Sequence, residues 1–349
     1  MEKMIAKQRA GLGAHRGPAT ALGLTDVGVV VIGRNEGQRL IQCLDSLASY
    51  AEQGCTVVYV DSGSTDGSLE AALRRGAVAY ALPSDRPFNA ARARNAGAKR
   101  LTEAAPGVAF IQFVDGDCIL APDWIEKARA FLAADPQAAV VCGRRRERFP
   151  QHSVYNRFMD QEWNAPVGKV TSCGGDAMMR RDAFDEVGGF NAAIVAGEEP
   201  ELCFRLESRG WTIWRLDAEM TQHDAALRRF SQWWKRAIRS GYGCAQLFDV
   251  QKGRVASGFT RQLIKNVVWS LLGPVALLAA VFVSKWFLVL LLAYPAQIVR
   301  IAVRVRSRSS HPWTYAAVMM AGHFAGFEGA RQYAWHAATG RIPRQADYK

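Results

Sequence analysis

The strongest constraint on the fold is an alternation of two hydrophobic periods. Residues 27–32 (VGVVVI), 56–60 (TVVYV), 78–80 (VAY) and 109–114 (AFIQFV) are short apolar runs, largely β-branched. Such runs suit strands buried on both faces. Between the first two, Leu40, Leu44, Leu47 and Ala51 recur at helical spacing. Thr65 and Asp66 can cap a helix that begins near Ser68, and further helices are expected over 90–104 and 122–133. Strands alternating with helices at this spacing predict an α/β chain with a parallel, doubly wound sheet. Ligands of such sheets collect beyond the carboxyl ends of the strands. Asp61 and Asp115 each follow a strand directly, so two acidic loops should face one crevice. Residues 140–230 are mixed, with a helix expected over 199–209 and a strand over 211–216.

The last third changes character. Residues 267–283 carry no charge, Lys285 interrupts, and residues 286–299 are again uncharged. At about 1.5 Å per residue the first run just crosses a thinned bilayer and the second needs help. Arg261 and Lys265 precede the pair, and Arg300, Arg304, Arg306 and Arg308 follow it. That pattern predicts a hairpin with both ends cytoplasmic, as in a bacterial-type inner membrane, with Arg331, Arg341, Arg344 and Lys349 on the same side. A third uncharged run, 313–327, contains His323 and reads as interfacial or re-entrant. The alternative is three buried helices of a soluble domain.

The net charge of +12 points to an anionic partner. No helix-turn-helix, RNP motif or zinc finger accompanies it, so nucleic acid is not the expected partner. The seven cysteines are irregularly spaced without a CxxC, which predicts reduced, buried thiols and no zinc site. Residues 1–25 read as a basic flexible leader with no signal-peptide core.

Candidate chemistry centres on FVDGDCIL (113–120). Asp115 and Asp117 flank Gly116 just past a strand, where they can hold a hard divalent cation; the same triplet also occurs in solvated turns. VDSGSTDGS (60–68) is acidic and hydroxyl-rich after another strand but lacks the ligand offsets of an EF-hand. ARARNAGAKR (91–100) offers Arg92, Arg94 and Asn95. There is no P-loop, and the N-terminal unit has no G-x-G-x-x-G.

Together with VVVIGRNEGQRLIQCLDSL (29–47), CGGDAMMRRDAFDEVGGF (173–190) and GEEPELCFRLESRGW (197–211), these segments resemble family 2 glycosyltransferases, which have the GT-A fold. The likeness runs from about Val27 to His223. It implies that Asp115 and Asp117 bind Mn²⁺ or Mg²⁺, with His223 approaching the metal. Glu36, Asp61, Arg94 and Asp115 would contact a UDP- or GDP-linked sugar donor. Gly175 and Asp176 would lie on the acceptor side. Glu199 holds the position of the family's base, usually Asp, with Glu198 or Asp176 as substitutes. A base there takes a proton from an acceptor hydroxyl, and the anomeric carbon inverts. Adjacent carboxylates are expected to raise one of the two glutamate pKa values. The implied acceptor is a glycan or a lipid-linked glycan at the membrane.

The implied layout is a catalytic domain over 26–230, an aromatic and basic connector over 231–262, and a membrane-associated helical region over 263–349. In FSQWWKRAIRSGYG (230–243), Gln232 and Arg236 partly match the Q-x-x-R-W element of processive synthases, but the spacing differs and processivity is not inferred. Trp233 and Trp234 are expected to pack the catalytic domain at the membrane interface or to form an acceptor platform. The rival functions are an inactive GT-A-like scaffold and a nucleotidyltransferase, which would release pyrophosphate.

Overall fold

A computed structural model describes residues 23–251 and 258–340. The basic leader up to residue 22, residues 252–257 of the connector, and Arg341, Arg344 and Lys349 lie outside the described residues. The chain begins with β1 (Val27–Gly33), α1 (Gln38–Ser46), α2 (Ala48–Glu52), β2 (Thr56–Asp61), α3 (Ser68–Arg74), β3 (Val78–Ala81) and α4 (Ala90–Ala104). There follow β4 (Phe110–Asp115), β5 (Cys118–Leu120), α5 (Trp124–Ala134), β6 (Ala138–Glu147), α6 (Val154–Glu162), β7 (Gly168–Val170), β8 (Ala177–Arg180), α7 (Arg181–Glu186), α8 (Glu198–Ser208) and β9 (Thr212–His223). The last helices are α9 (Phe230–Val250), α10 (Gly258–Phe282), α11 (Ala293–Val305) and α12 (Pro312–Thr339), with a 3₁₀ turn over Lys285–Leu292 leading into α11.

The sheet runs β3-β2-β1-β4-β8-β6-β9-β5, with β7 paired to β9. β1 to β4 are mutually parallel, and β6 and β9 share their direction; β5, β7 and β8 oppose it. The sheet is therefore mixed but mostly parallel. Its central strands are sealed: Val29, Val30 and Val31 of β1 and Phe113 and Val114 of β4 have no solvent exposure. The strands and helices expected from periodicity up to residue 134 form within two residues of their predicted ends. The strand read over 211–216 continues to His223, through the polar residues Asp217 and Glu219.

Helix α4 lies close on the sheet. A Cβ at Gly97 would fall 2.2 Å from Val30 Cγ1, so only glycine permits that approach. It brings the first turns of α4 over the end of β4, which matters for Arg94.

The C-terminal helices dock through small residues. A Cβ at Gly329 would come within 2.0 Å of the Ile238 carbonyl, and one at Gly241 within 2.1 Å of the Gly326 carbonyl, so α9 and α12 touch backbone to backbone. Trp233 is buried with Met159 and Leu227, beside Phe158 of α6 and Val318 of α12. Its indole is a packing element, which corrects the acceptor-platform reading for that residue. Within α10, Pro274 interrupts the helical ladder. The Tyr294 hydroxyl is inserted there: it accepts from Gly273 N–H at 2.9 Å and donates to the Trp269 carbonyl at 2.8 Å. Backbone groups freed near a helix proline are thus satisfied inside an apolar segment. By length and composition, Gly258–Phe282 and Lys285–Val305 are both long and apolar enough to cross a membrane. The second reaches 21 residues because the 3₁₀ turn runs directly into α11. α12 instead packs on its neighbours, with His323 buried and its Nδ1 2.9 Å from Asn266 Oδ1 of α10.

Candidate active site

Two loops meet beyond the carboxyl ends of β1 and β2. The Asp61 carboxylate accepts the Tyr59 hydroxyl at 2.9 Å and the Gly63 and Ser64 N–H groups at 3.0 and 2.8 Å. Asn35 N–H donates to Ser64 Oγ at 2.8 Å, Thr65 N–H to Asn35 Oδ1 at 2.8 Å, and Gly37 N–H to Asp66 Oδ2 at 2.9 Å. Asp61 is buried, and its hydrogen bonds shape the loop that was expected to meet a nucleoside. Glu36 is buried against the D-G-D turn and pairs with Arg39 at 2.6 Å.

The D-G-D turn sits one strand away. Asp61 registers with Gly33 and Asp115 with Ile32, so the two residues stand on the strands that flank β1, their backbones about 10 Å apart by strand spacing. Gly116 N–H donates to the Ile32 carbonyl at 2.8 Å and pins the turn. Side chains of Asp115 and Asp117 keep 27% and 22% of their surface in solvent, so both open onto the crevice.

Asp115 is held by two arginines. Arg94 reaches it at 2.7 Å and Glu198 at 2.7 Å, forming a bridge between the end of β4 and the start of α8. Burial alone would lower the Arg94 pKa, but Asp115 and Glu198 outweigh it and raise it above the ordinary arginine value. Arg94 is 2% exposed, lies over the Phe190 ring and clamps Asp115 to Glu198. Asn95 fixes that ring's backbone through two bonds to Phe190, at 2.7 and 2.9 Å. Arg145 of β6 lies 2.6 Å from Asp176 and 3.6 Å from Asp115.

Asp176 has no solvent exposure. It accepts Asp115 N–H at 3.0 Å and the Thr221 hydroxyl at 2.8 Å. Burial opposes its charge, yet Arg145 and these donors keep its pKa below the usual carboxylate range. It supports Asp115 from beneath, and its carboxylate is sealed from solvent rather than open to the crevice. Gly175 lies between them: a Cβ there would be 2.8 Å from Arg94 Nη2 and 2.9 Å from Asp115 Oδ2.

Asp117 has a different partner, His223. Residues Cys118 and His223 are register partners of β5 and β9, which places His223 Nε2 3.4 Å from Asp117 Oδ1. Burial opposes the Asp117 charge, but His223 and then Arg39 and Arg145 depress its pKa strongly. Asp117, Cys118 and His223 present ligand atoms within 4.8 Å of one another. Burial pushes the Cys118 thiol pKa well up, which leaves carboxylate and imidazole as the usable donors. His223 Nδ1 is buried without a hydrogen-bond partner, so Nε2 is the nitrogen turned toward the aspartate. Carboxylates on a solvent-facing turn with one imidazole fit Mn²⁺ or Mg²⁺.

The two glutamates occupy different surroundings. Glu198 is ionised against Arg94: burial raises its pKa, but Arg94 and Arg239 bring it below the ordinary value. Glu199 lies under the Cys173–Gly175 loop, accepting Cys173 N–H and, at 3.1 Å, the Cys203 thiol. Its pKa is raised, and the cause is burial rather than the expected repulsion between neighbouring carboxylates. All seven cysteines are free and buried.

Residues that sequence reasoning missed cluster around Trp163. Its ring packs edge-on to His223 at 4.8 Å, with Arg145 at 5.6 Å and Arg236 at 5.9 Å from its centroid. Enclosure and the neighbouring charges of Arg145 and Arg239 lower the Arg236 pKa, although its side chain still reaches solvent. The arginine-rich stretch 144–148 was the one signal that could have found Arg145.

A mixed, mostly parallel sheet with paired aspartates at the mouth of a central strand, beside a hydrogen-bonded loop after β2, is the arrangement of a GT-A-type fold. The family profile for glycosyl transferase family 2 matches residues 28–188, and that for glycosyl transferase family group 2 matches residues 110–327. The chain belongs to glycosyltransferase family 2. It is 24% identical to the glycosyltransferase AglE of Haloferax volcanii over 71% of this chain and 80% of that one. It is 25% identical to the succinoglycan biosynthesis protein ExoA of Rhizobium meliloti over 75% and 79%. A Mycobacterium tuberculosis N-acetylglucosaminyl-diphospho-decaprenol L-rhamnosyltransferase is 29% identical over 58% of this chain and 78% of its own. The fold also follows a mannosyltransferase from Pyrobaculum calidifontis, solved with GDP-mannose and Mn²⁺, at a TM-score of 0.51 and 18% identity over 97% and 94% of the two chains. The protein is thus an enzyme that transfers a sugar from a nucleotide-sugar donor, which sets aside the scaffold and nucleotidyltransferase alternatives.

Proposed function

We propose that this enzyme is a membrane-anchored, cation-dependent, inverting glycosyltransferase that acts on a hydroxyl of a glycan or lipid-linked acceptor. The observation that carries this reading is the Glu198–Arg94–Asp115 bridge, which ties the helix bearing the candidate base to the paired aspartates. Asp115 and Asp117, with His223, would hold Mn²⁺ or Mg²⁺. Such an ion, when bound, supplies Lewis-acid stabilisation of charge on a UDP or GDP leaving group. Arg145 and Arg236 add positive charge on the same side of the crevice. Glu36 and the Asp61 loop line the nucleoside end.

Glu199 is the proposed base. Its raised pKa makes it a better proton acceptor than an ordinary glutamate, whereas Glu198 is occupied by Arg94. The acceptor oxygen forms its bond to the anomeric carbon as the carbon–oxygen bond to the diphosphate breaks, and the hydroxyl proton passes to Glu199. Attack from the face opposite the leaving group inverts the anomeric carbon. The two long apolar segments support a site beside a lipid surface, and the arginines that flank them support a catalytic domain on the cytoplasmic face. We read residues 26–230 as the catalytic unit, 231–262 as the connector and 263–349 as the membrane region.

The test is a panel of UDP- and GDP-sugars with Mn²⁺, read first as thermal stabilisation and then as transfer. Glu199→Gln should keep donor-induced stabilisation and lose about 10²–10⁴-fold in transfer. Transfer that survives Glu199→Gln but not Glu198→Gln would move the base to the neighbouring residue.

A further inference from the structure

A cavity of about 630 Å³ lies where the catalytic unit meets the apolar helices. Arg144 of β6, Arg157 and Asp160 of α6, Val305 and Arg308 at the end of α11, and Tyr315 of α12 line it. Its charge is one-sided. No ion pair engages Arg144, Arg157 or Arg308 among the described residues. The single acid, Asp160, is already taken by Arg146 at 3.1 Å and Glu147 N–H at 3.0 Å. Arg144 Nε is buried with no hydrogen-bond partner. Arg144 as a whole is half-buried, so its Nε–H is the one part shut off from water, and a tetrahedral oxyanion in the cavity would satisfy it with a charge-assisted bond.

The position of the cavity selects the source of that oxyanion. Val305 is the last residue of the 21-residue apolar segment, and Arg300, Arg304, Arg306 and Arg308 crowd its end. Basic residues at the end of a span lie at headgroup depth. We propose that the cavity binds the phosphate of an anionic membrane phospholipid, gripped by Arg144, Arg157 and Arg308. Bound there, the lipid would bridge α6 of the catalytic unit to the end of α11 and fix how the active site sits on the membrane. The choice of a lipid source rests on the membrane anchoring proposed above; it does not rest on the transfer chemistry.

The experiment uses the full chain in a neutral detergent. Its thermal midpoint is measured with dihexanoyl phosphatidylglycerol, dihexanoyl phosphatidylcholine or inorganic phosphate. Phosphatidylglycerol should raise the midpoint by several degrees, less so at high salt, and the other two should not. The Arg157→Gln/Arg308→Gln double variant should lose at least half of that rise, and the matching double lysine variant should retain most of it. A full rise in the glutamine variant, or an equal rise with phosphatidylcholine, overturns the site. An equal rise with inorganic phosphate, absent in the glutamine variant, overturns the lipid as its occupant. Fractionation of expressing cells separates the two readings. A chain that is membrane-bound but insensitive to the anionic lipid sinks only this cavity, and a chain found outside membranes sinks the anchoring itself.

Discussion

In the catalytic half, Val30, Leu101, Ile111 and Trp124 are sealed from solvent around the sheet. In α10 and the segment after it, Val281, Phe282, Val283 and Trp286 are between 73% and 81% exposed. Both regions are built from the same residue types. The difference is that each apolar strand has a helix laid on it, whereas the outward faces of α10 and α11 have no protein partner among the described residues. Exposed apolar area costs about 25 cal/mol per Å² in water, so this exposed belt fits the membrane anchoring proposed above. The lesson is that apolar content sets how much surface must leave water, and tertiary contacts decide whether protein or lipid receives it.

The largest effect expected from any single change belongs to the catalytic half. Asp117→Asn should lower sugar transfer on the order of 10³-fold, removing the carboxylate beside His223, while membrane partitioning stays unchanged. If fractionation shifted with transfer, the two regions would not be separable.

Next comes a direct contrast. Leu101 is fully buried against β1, and Leu101→Ala should cost about 2–5 kcal/mol in denaturant unfolding. Leu278 is 58% exposed, and Leu278→Ala should cost less than about 0.5 kcal/mol. Leu278→Arg should instead disfavour membrane insertion by about 3 kcal/mol, read as the share of protein in the membrane pellet. A Leu278→Arg chain that inserts normally would show that this face meets protein or water.

A smaller change probes the joint. Gly329→Ala pushes a methyl onto the Ile238 carbonyl and should destabilise the α9–α12 contact by about 1–3 kcal/mol, exposing the α9 linkage to limited proteolysis. Cleavage no faster than in the parent chain would mean that the two halves are joined elsewhere.

The smallest is a pH effect confined to the loops after β1 and β2. The Ser68 hydroxyl, with the Ser68 and Gly37 N–H groups, lowers the Asp66 pKa. A depressed folded-state value contributes stability above the unfolded pKa, about 3.9, which is lost as pH falls through the folded one. Asp66→Asn should therefore make acid unfolding shallower by roughly 0.5 kcal/mol, a figure reduced because the carboxylate is largely solvated. An unchanged acid limb would remove Asp66 from the loop's support.

How far the site was legible tracks how local its signals are. Asp115, Asp117 and Asp61 stand at strand ends, where an apolar run stops on an acid, and that is readable from neighbours in the chain. Glu198 and Glu199 are adjacent, so no local rule separated them; Arg94 and the Cys173 loop did, by reaching one each. The acceptor-side reading of Asp176 rested on the resemblance of residues 173–190 to a family loop, and no local signal shows that its carboxylate lies buried under the Asp115 N–H. Arg145 and Trp163 depend on β6 lying between β8 and β9, a pairing that no sequence period encodes.

By itself, the sequence determined the alternation of strands and helices, the acids at strand ends and the apolar character of the last third. These follow from side-chain periodicity and backbone preference within a few residues. Tertiary structure alone decided which carboxylate is clamped, which is buried as support, and which arginines are left without an acid. Those properties depend on burial and on charges from strands and helices far apart in the chain, and such fields exist only once the sheet has brought them together.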